Sequence, residues 1–99
     1  MDLTNEQLEE LKNFGAAFYD LEVVSICMEL DIELLKEAFN DKKSAAYKAY
    51  FSGFYQSELM VRKVIIKQAL NGSNQAQNLI TKFKDECDKQ NKMIGIYGN

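Results

Sequence analysis

SAAYKAYFSGFYQSELMVRKVIIKQALNG, residues 44–72, decides the fold, because no other segment is as long, as apolar or as poor in acid. It holds no proline and only one interior glycine, Gly53, which predicts a single helix of about 28 residues and about 42 Å. At 100° per residue Tyr47, Tyr50, Phe51, Phe54, Val61, Ile65 and Ala69 form one stripe, widened by Tyr55, Leu59, Ile66 and Leu70. The remaining face is small or apolar as well: Ala46, Ala49, Gly53, Ser57, Met60 and Val64. A helix without a polar side is covered from several directions. Either other helices of the chain or a second subunit supply that cover.

Outward from this helix, both flanks read as helical. Ahead of it, Thr4 and Gln7 make a capping box, with Leu3 and Leu8 placed as a hydrophobic staple. Leu8, Leu11, Phe14 and Phe18 follow as an apolar stripe. Gly15 in that helix costs about 1 kcal/mol relative to alanine, and a close crossing by another helix would explain it. Asp20 caps a second helix, Leu21 to Leu30, with Val24, Cys27 and Met28 inward. Asp31 and Ile32 make a turn. A third helix runs from Glu33 to Asn40 with Leu34, Leu35, Ala38 and Phe39 inward. Two short helices joined by a tight turn have the spacing of a helix-turn-helix, or of a plain helical corner. The turn carries Asp31 where glycine is commonest, and aspartate tolerates the left-handed conformation better than most residues.

Behind the long helix, Asn71-Gly72-Ser73-Asn74 is a stop and restart. A fifth helix follows to about Asn91, with Ala76, Leu79, Ile80, Phe83 and Cys87 on one side, and so short a link folds it back antiparallel. Residues 92–99 form a tail, apolar but broken by glycine, either frayed or docked as an added peptide. The fold class is therefore all-α: a helix-turn-helix-like three-helix part over residues 1–43 and a helical hairpin over 44–91, in one domain.

Charge divides along the same line. Residues 1–43 carry eleven acids and four lysines, residues 44–99 four acids and eight bases. Such a sequence dipole suits packing against a neighbour and argues against one broad basic surface. Glu58 precedes Arg62 by four residues, either as a surface pair or as a registry pair at a subunit contact. The chain has no histidine, and Cys27 and Cys87 are far apart and outside any CxxC, so neither a zinc site, a structural disulfide nor a cofactor is expected. Cys27 reads as core packing. No nucleophile-base pair or phosphate loop is visible, so no catalytic residue is assigned and the chain reads as a non-enzyme. Its apolar runs are short and its start lacks a basic leader, which predicts a cytosolic protein without a membrane span.

The capped first helix, the segment VVSICMELDIELLKEAFND, AYFSG with Tyr50 and Gly53, the long helix, and ALNGSNQAQNLITKF with Ala69, Gly72, Ala76 and Leu79 or Ile80 together resemble the small terminase subunits of tailed phages. The resemblance spans nearly the whole chain. It implies a DNA-packaging adaptor in the host-cell cytoplasm that recognises double-stranded viral DNA, assembles into a homo-oligomeric ring and serves a large terminase subunit. By position, Glu33 to Asn40 would be the DNA-reading helix and residues 44–91 the assembling part. The expected interface residues are Tyr47, Tyr50, Phe51, Phe54, Glu58, Val61, Arg62 and Ile65. The bases available for phosphate are Lys36, Lys42, Lys43 and Lys48. The reading helix departs from the pattern in its charge, since Glu33 and Glu37 outnumber Lys36 where phosphate contacts call for several bases. The alternative is an oligomeric helical interaction module whose acidic helix-turn-helix face binds a basic protein partner.

Overall fold

The computed structural model describes residues 1–95, which form five helices and, among the described residues, no strand; 77% is helical. They are α1 (Asn5–Ala16), α2 (Leu21–Cys27), α3 (Ile32–Phe39), α4 (Ala45–Leu70) and α5 (Asn74–Met93). Local chemistry accounts for every start. The Thr4 hydroxyl accepts from the Gln7 amide at 3.1 Å while Gln7 Oε1 accepts from the Thr4 amide at 2.9 Å. Asp20, Asp31, Ser44 and Ser73 each accept a first-turn amide of the helix that follows.

The ends of α1, α2 and α4 share one device, in which the chain turns left-handed and two amides reach back to the last carbonyls. After α4, Gly72 (φ 97) donates to Ala69 and Ser73 to Gln68. Phe18 (φ 63) and Glu29 (φ 54) hold the same position after α1 and α2, with Tyr19 donating to Phe14 and Leu30 to Ser25. A side chain in that conformation costs about 1 kcal/mol or more. The left-handed residue of the corner is thus Glu29 rather than Asp31, which has φ −67 and caps α3. The second helix stops at Cys27 because the turn consumes Met28 to Leu30, and the third begins at Ile32, one residue earlier than expected.

The chain divides into two compact units, Met1–Met60 and Val61–Asn99. In the first, Leu11, Val24 and Leu35 are fully buried, with Ala46 and Tyr50 nearly so, and Leu3, Phe14, Leu21, Met28, Ala38 and Phe39 pack around them. Each fully buried leucine or valine contributes about 1.5–3 kcal/mol. Two glycines set how closely α1 crosses α4. A Cβ on Gly15 would collide with the Tyr50 carbonyl, and a Cβ on Gly53 with the carbonyl of Lys12. The close crossing expected at Gly15 is therefore present, and it is reciprocal.

Three residues expected inward face out: Cys27, Leu34 at 50% exposure, and Phe18 at 48%. α2 and α3 have only seven and eight residues, about two turns each, and Val24 with Ser25 in the one and Leu35 in the other complete the inner face. In the second unit the end of α4 and α5 form the hairpin, closed by the buried small residues Ala69 and Ala76 and by Gln77 Nε2 donating to the Ala69 carbonyl at 3.1 Å. α5 runs to Met93, two residues past its expected end, and Gly95 follows with φ 82. Residues 96–99 of the expected tail lie outside the described residues.

Candidate nucleic-acid and assembly surfaces

The helix-turn-helix-like corner is built by α2, the left-handed Glu29 and α3. Asp31 Oδ1 accepts from the amides of Glu33 at 2.8 Å and Leu34 at 3.2 Å, which fixes the direction in which α3 leaves the turn. Leu35 faces the core, so Glu33, Leu34, Lys36 and Glu37 face solvent. Lys36 Nζ lies 3.4 Å from Glu33 Oε1. An exposed pair of this kind is worth under about 1 kcal/mol, yet it places a carboxylate beside the one base of α3.

The other bases chosen for phosphate follow at the α3–α4 corner. Lys42 and Lys43 lie on an exposed turn, and Lys48 is exposed one turn into α4. The turn is held firmly: the Asp41 carboxylate accepts from the Lys43 amide at 2.9 Å, and the Ser44 hydroxyl donates to the Ala38 carbonyl at 2.7 Å while accepting from Tyr47. Asp41 is therefore engaged with the backbone of the same turn that presents the two lysines.

The interface residues expected along α4 have separate settings. Tyr47, Tyr50, Phe51 and Phe54 join Phe39 in one aromatic cluster with ring centroids 4.5–6.3 Å apart, and Phe18 meets Phe54 edge-on at 5.0 Å. This part of the stripe is covered within the chain, and Tyr50 is 7% exposed. Its hydroxyl donates to the Tyr19 carbonyl. Burial, and behind it the Asp20 carboxylate, push the Tyr50 hydroxyl above the ordinary phenol value of 10.0. Glu58 is half-buried.

The second unit differs. Val61, Val64 and Leu70 are 50%, 57% and 82% exposed, and Ile65 is half-buried. Arg62 stacks its guanidinium over the Phe83 ring at 4.0 Å from the centroid. Beside it lies a groove of about 290 Å³ lined by Ile66, Ile80, Lys84, Cys87 and Asp88. Lys63 and Lys67 are exposed on α4, and no acid occurs from Leu59 to Lys84. The α4 side of the hairpin is thus both basic and apolar, while α5 adds the exposed acids Asp85, Glu86 and Asp88. Periodicity could not distinguish this half of the stripe from the covered half, because both carry large apolar residues at the same spacing.

Cys27 and Cys87 are free and exposed, so Cys27 is not the core residue that its apolar neighbours suggested. Among the described residues no group of three or more histidine, cysteine or acidic side chains is arranged to hold a metal ion, and no helix is long and apolar enough to cross a membrane. Compared with protein-family models, curated proteins and solved structures, the chain matches none.

Proposed function

We propose that the chain is a non-enzymatic DNA-packaging adaptor of the small-terminase kind, which assembles through its helical hairpin, touches double-stranded DNA with the α3–α4 corner and serves a large terminase subunit in the host-cell cytoplasm. The observation that carries this reading is the pairing of two parts in 95 described residues. One is a three-helix unit with the order and corner of a helix-turn-helix and with Lys42, Lys43 and Lys48 exposed at its edge; the other is a hairpin with exposed apolar side chains. Phosphate contacts supply most non-specific affinity, so three or four lysines bind weakly in one copy and strongly when an assembly repeats them.

The test is a duplex-DNA shift titrated with salt, alongside light scattering of the free protein. Binding should weaken with a log-log slope of about −3, and Lys42→Glu with Lys43→Glu should remove it while leaving the melting temperature nearly unchanged. If neither protein shifts DNA at low salt, the packaging reading fails. A second reading, an assembling module for a protein partner, is favoured by one observation: the exposed surface of α3 is acidic and apolar, with Glu33, Leu34 and Glu37 outward and Lys36 beside Glu33.

A further inference from the structure

The two units carry opposite charge. The first holds twelve acids and five lysines, the second three acids and seven bases. Each also exposes large apolar side chains. On the first unit Ile26 is 72% and Leu34 50% exposed, and Glu29, Glu33 and Glu37 stand among them. Two grooves flank α3. One, of about 340 Å³, is lined by Leu34, Glu37, Ala38, Asp41 and Ala45; the other, of about 510 Å³, by Leu21, Glu22, Ile26, Ile32 and Lys36. The first sets Glu37 and Asp41 beside Leu34, Ala38 and Ala45, and the second is mainly apolar, with Glu22 and Lys36 at its edge. On the second unit Val64 and Leu70 project from the same helix as the exposed Lys63 and Lys67.

We infer that these two surfaces are one interface between copies: the acidic α2–α3 face of one molecule receives the basic hairpin of the next. The inference rests on the assembling part of the function proposed above and names the surfaces that assemble. Charge complementarity selects the occupant. A duplex would satisfy the lysines but leave Val64 and Leu70 against phosphate, whereas the α3 face offers both carboxylates and apolar grooves. Complementarity also selects the geometry. Acidic face on acidic face, or basic on basic, is repulsive, so the contact joins unlike patches head to tail and propagates into a ring or a filament. It follows that α3 is covered in the assembly rather than inserted into a DNA groove, and that DNA is left to the Lys42–Lys43 corner.

Light scattering of the full chain with exchanged charges tests this. One variant carries Glu33→Lys and Glu37→Lys, the other Lys63→Glu and Lys67→Glu. Each alone should self-associate at least about tenfold more weakly than the parent, and an equimolar mixture should recover the parent assembly, because every contact in it again joins opposite charges. Raising salt to about 1 M should dissociate the parent in the same manner. Circular dichroism melts check that each variant is folded. Should a reversal unfold the chain, Lys63→Gln with Lys67→Gln should still flatten the salt dependence of assembly. A mixture that fails to recover, or single variants that assemble as the parent does, overturns the inference and leaves the packaging reading standing. So does a Lys63→Glu, Lys67→Glu protein that loses its DNA shift but assembles normally, which would make the hairpin the nucleic-acid face. A parent that is monomeric at micromolar concentration overturns both.

Discussion

The Tyr50 hydroxyl donates a hydrogen bond to the main-chain carbonyl of Tyr19, 31 residues earlier, and so fastens α4 to the turn that leaves α1. Tyr50→Phe should cost about 1 kcal/mol, a fall of roughly 4–8 °C in melting midpoint for a domain of this size. The penalty should also depend on pH. The native hydroxyl ionises above the value of 10.0 that applies in the unfolded chain, so in alkali the unfolded state releases its proton first. The stabilisation is complete below pH 10 and is lost as pH rises from there through the native value. Parent and Tyr50→Phe stabilities, measured by urea titration, should therefore converge above pH 10, and a constant gap would refute the assignment.

Gly15 and Gly53 should each resist alanine despite the usual preference of helices for it. The helical gain is about 1 kcal/mol, but each new methyl would meet main chain rather than a flexible side-chain end, and overpacking of this kind costs about 1–3 kcal/mol or more. Thermal melts of both single variants should fall below the parent. If either rises, the two helices separate more readily than the crossing implies.

Phe54→Asp distinguishes the two halves of the long helix. Phe54 stands among Phe18, Tyr50, Phe51 and Tyr55, so a carboxylate there should cost roughly 3 kcal/mol or more and reduce helical dichroism. Val64→Asp, at an exposed position, should leave the melt nearly unchanged and weaken only self-association.

Both cysteines should react with a thiol reagent in the folded monomer, giving two equivalents without denaturant. Reductant and chelator should leave the melting curve in place. Labelling of one thiol alone would mean that Cys27 is covered after all.

The parts of this fold that were legible in the sequence are those fixed by contacts three or four residues apart. Thr4 with Gln7, Asp20 and the Ser73-Asn74 pair announce their helices because the side chain that caps each start lies beside the amides it satisfies. Gly72 announces the stop of α4 for the same reason. What could not be read depends on distant chain. Nothing near Leu34 or Cys27 says how few side chains a two-turn helix buries, since the number buried follows from the helices packed against it. The aromatic half of α4 packs into the core of the first unit, whereas Val61, Val64 and Leu70 beyond it are exposed, although the two halves share one periodicity. For the candidate surfaces, the four lysines named for phosphate were legible as charges, but the Lys36–Glu33 approach and the grooves beside α3 required the fold.

Glu29 completes the left-handed turn after α2 with a side chain where glycine would be easier. Glu29→Gly should relieve about 1 kcal/mol of backbone cost and raise the melting midpoint, while removing a carboxylate from the face proposed to receive the hairpin. Under the proposed contact, thermal endurance and self-recognition should then move in opposite directions on a single substitution: the corner would surrender some permanence of the individual molecule in exchange for an acidic edge that its neighbours could find.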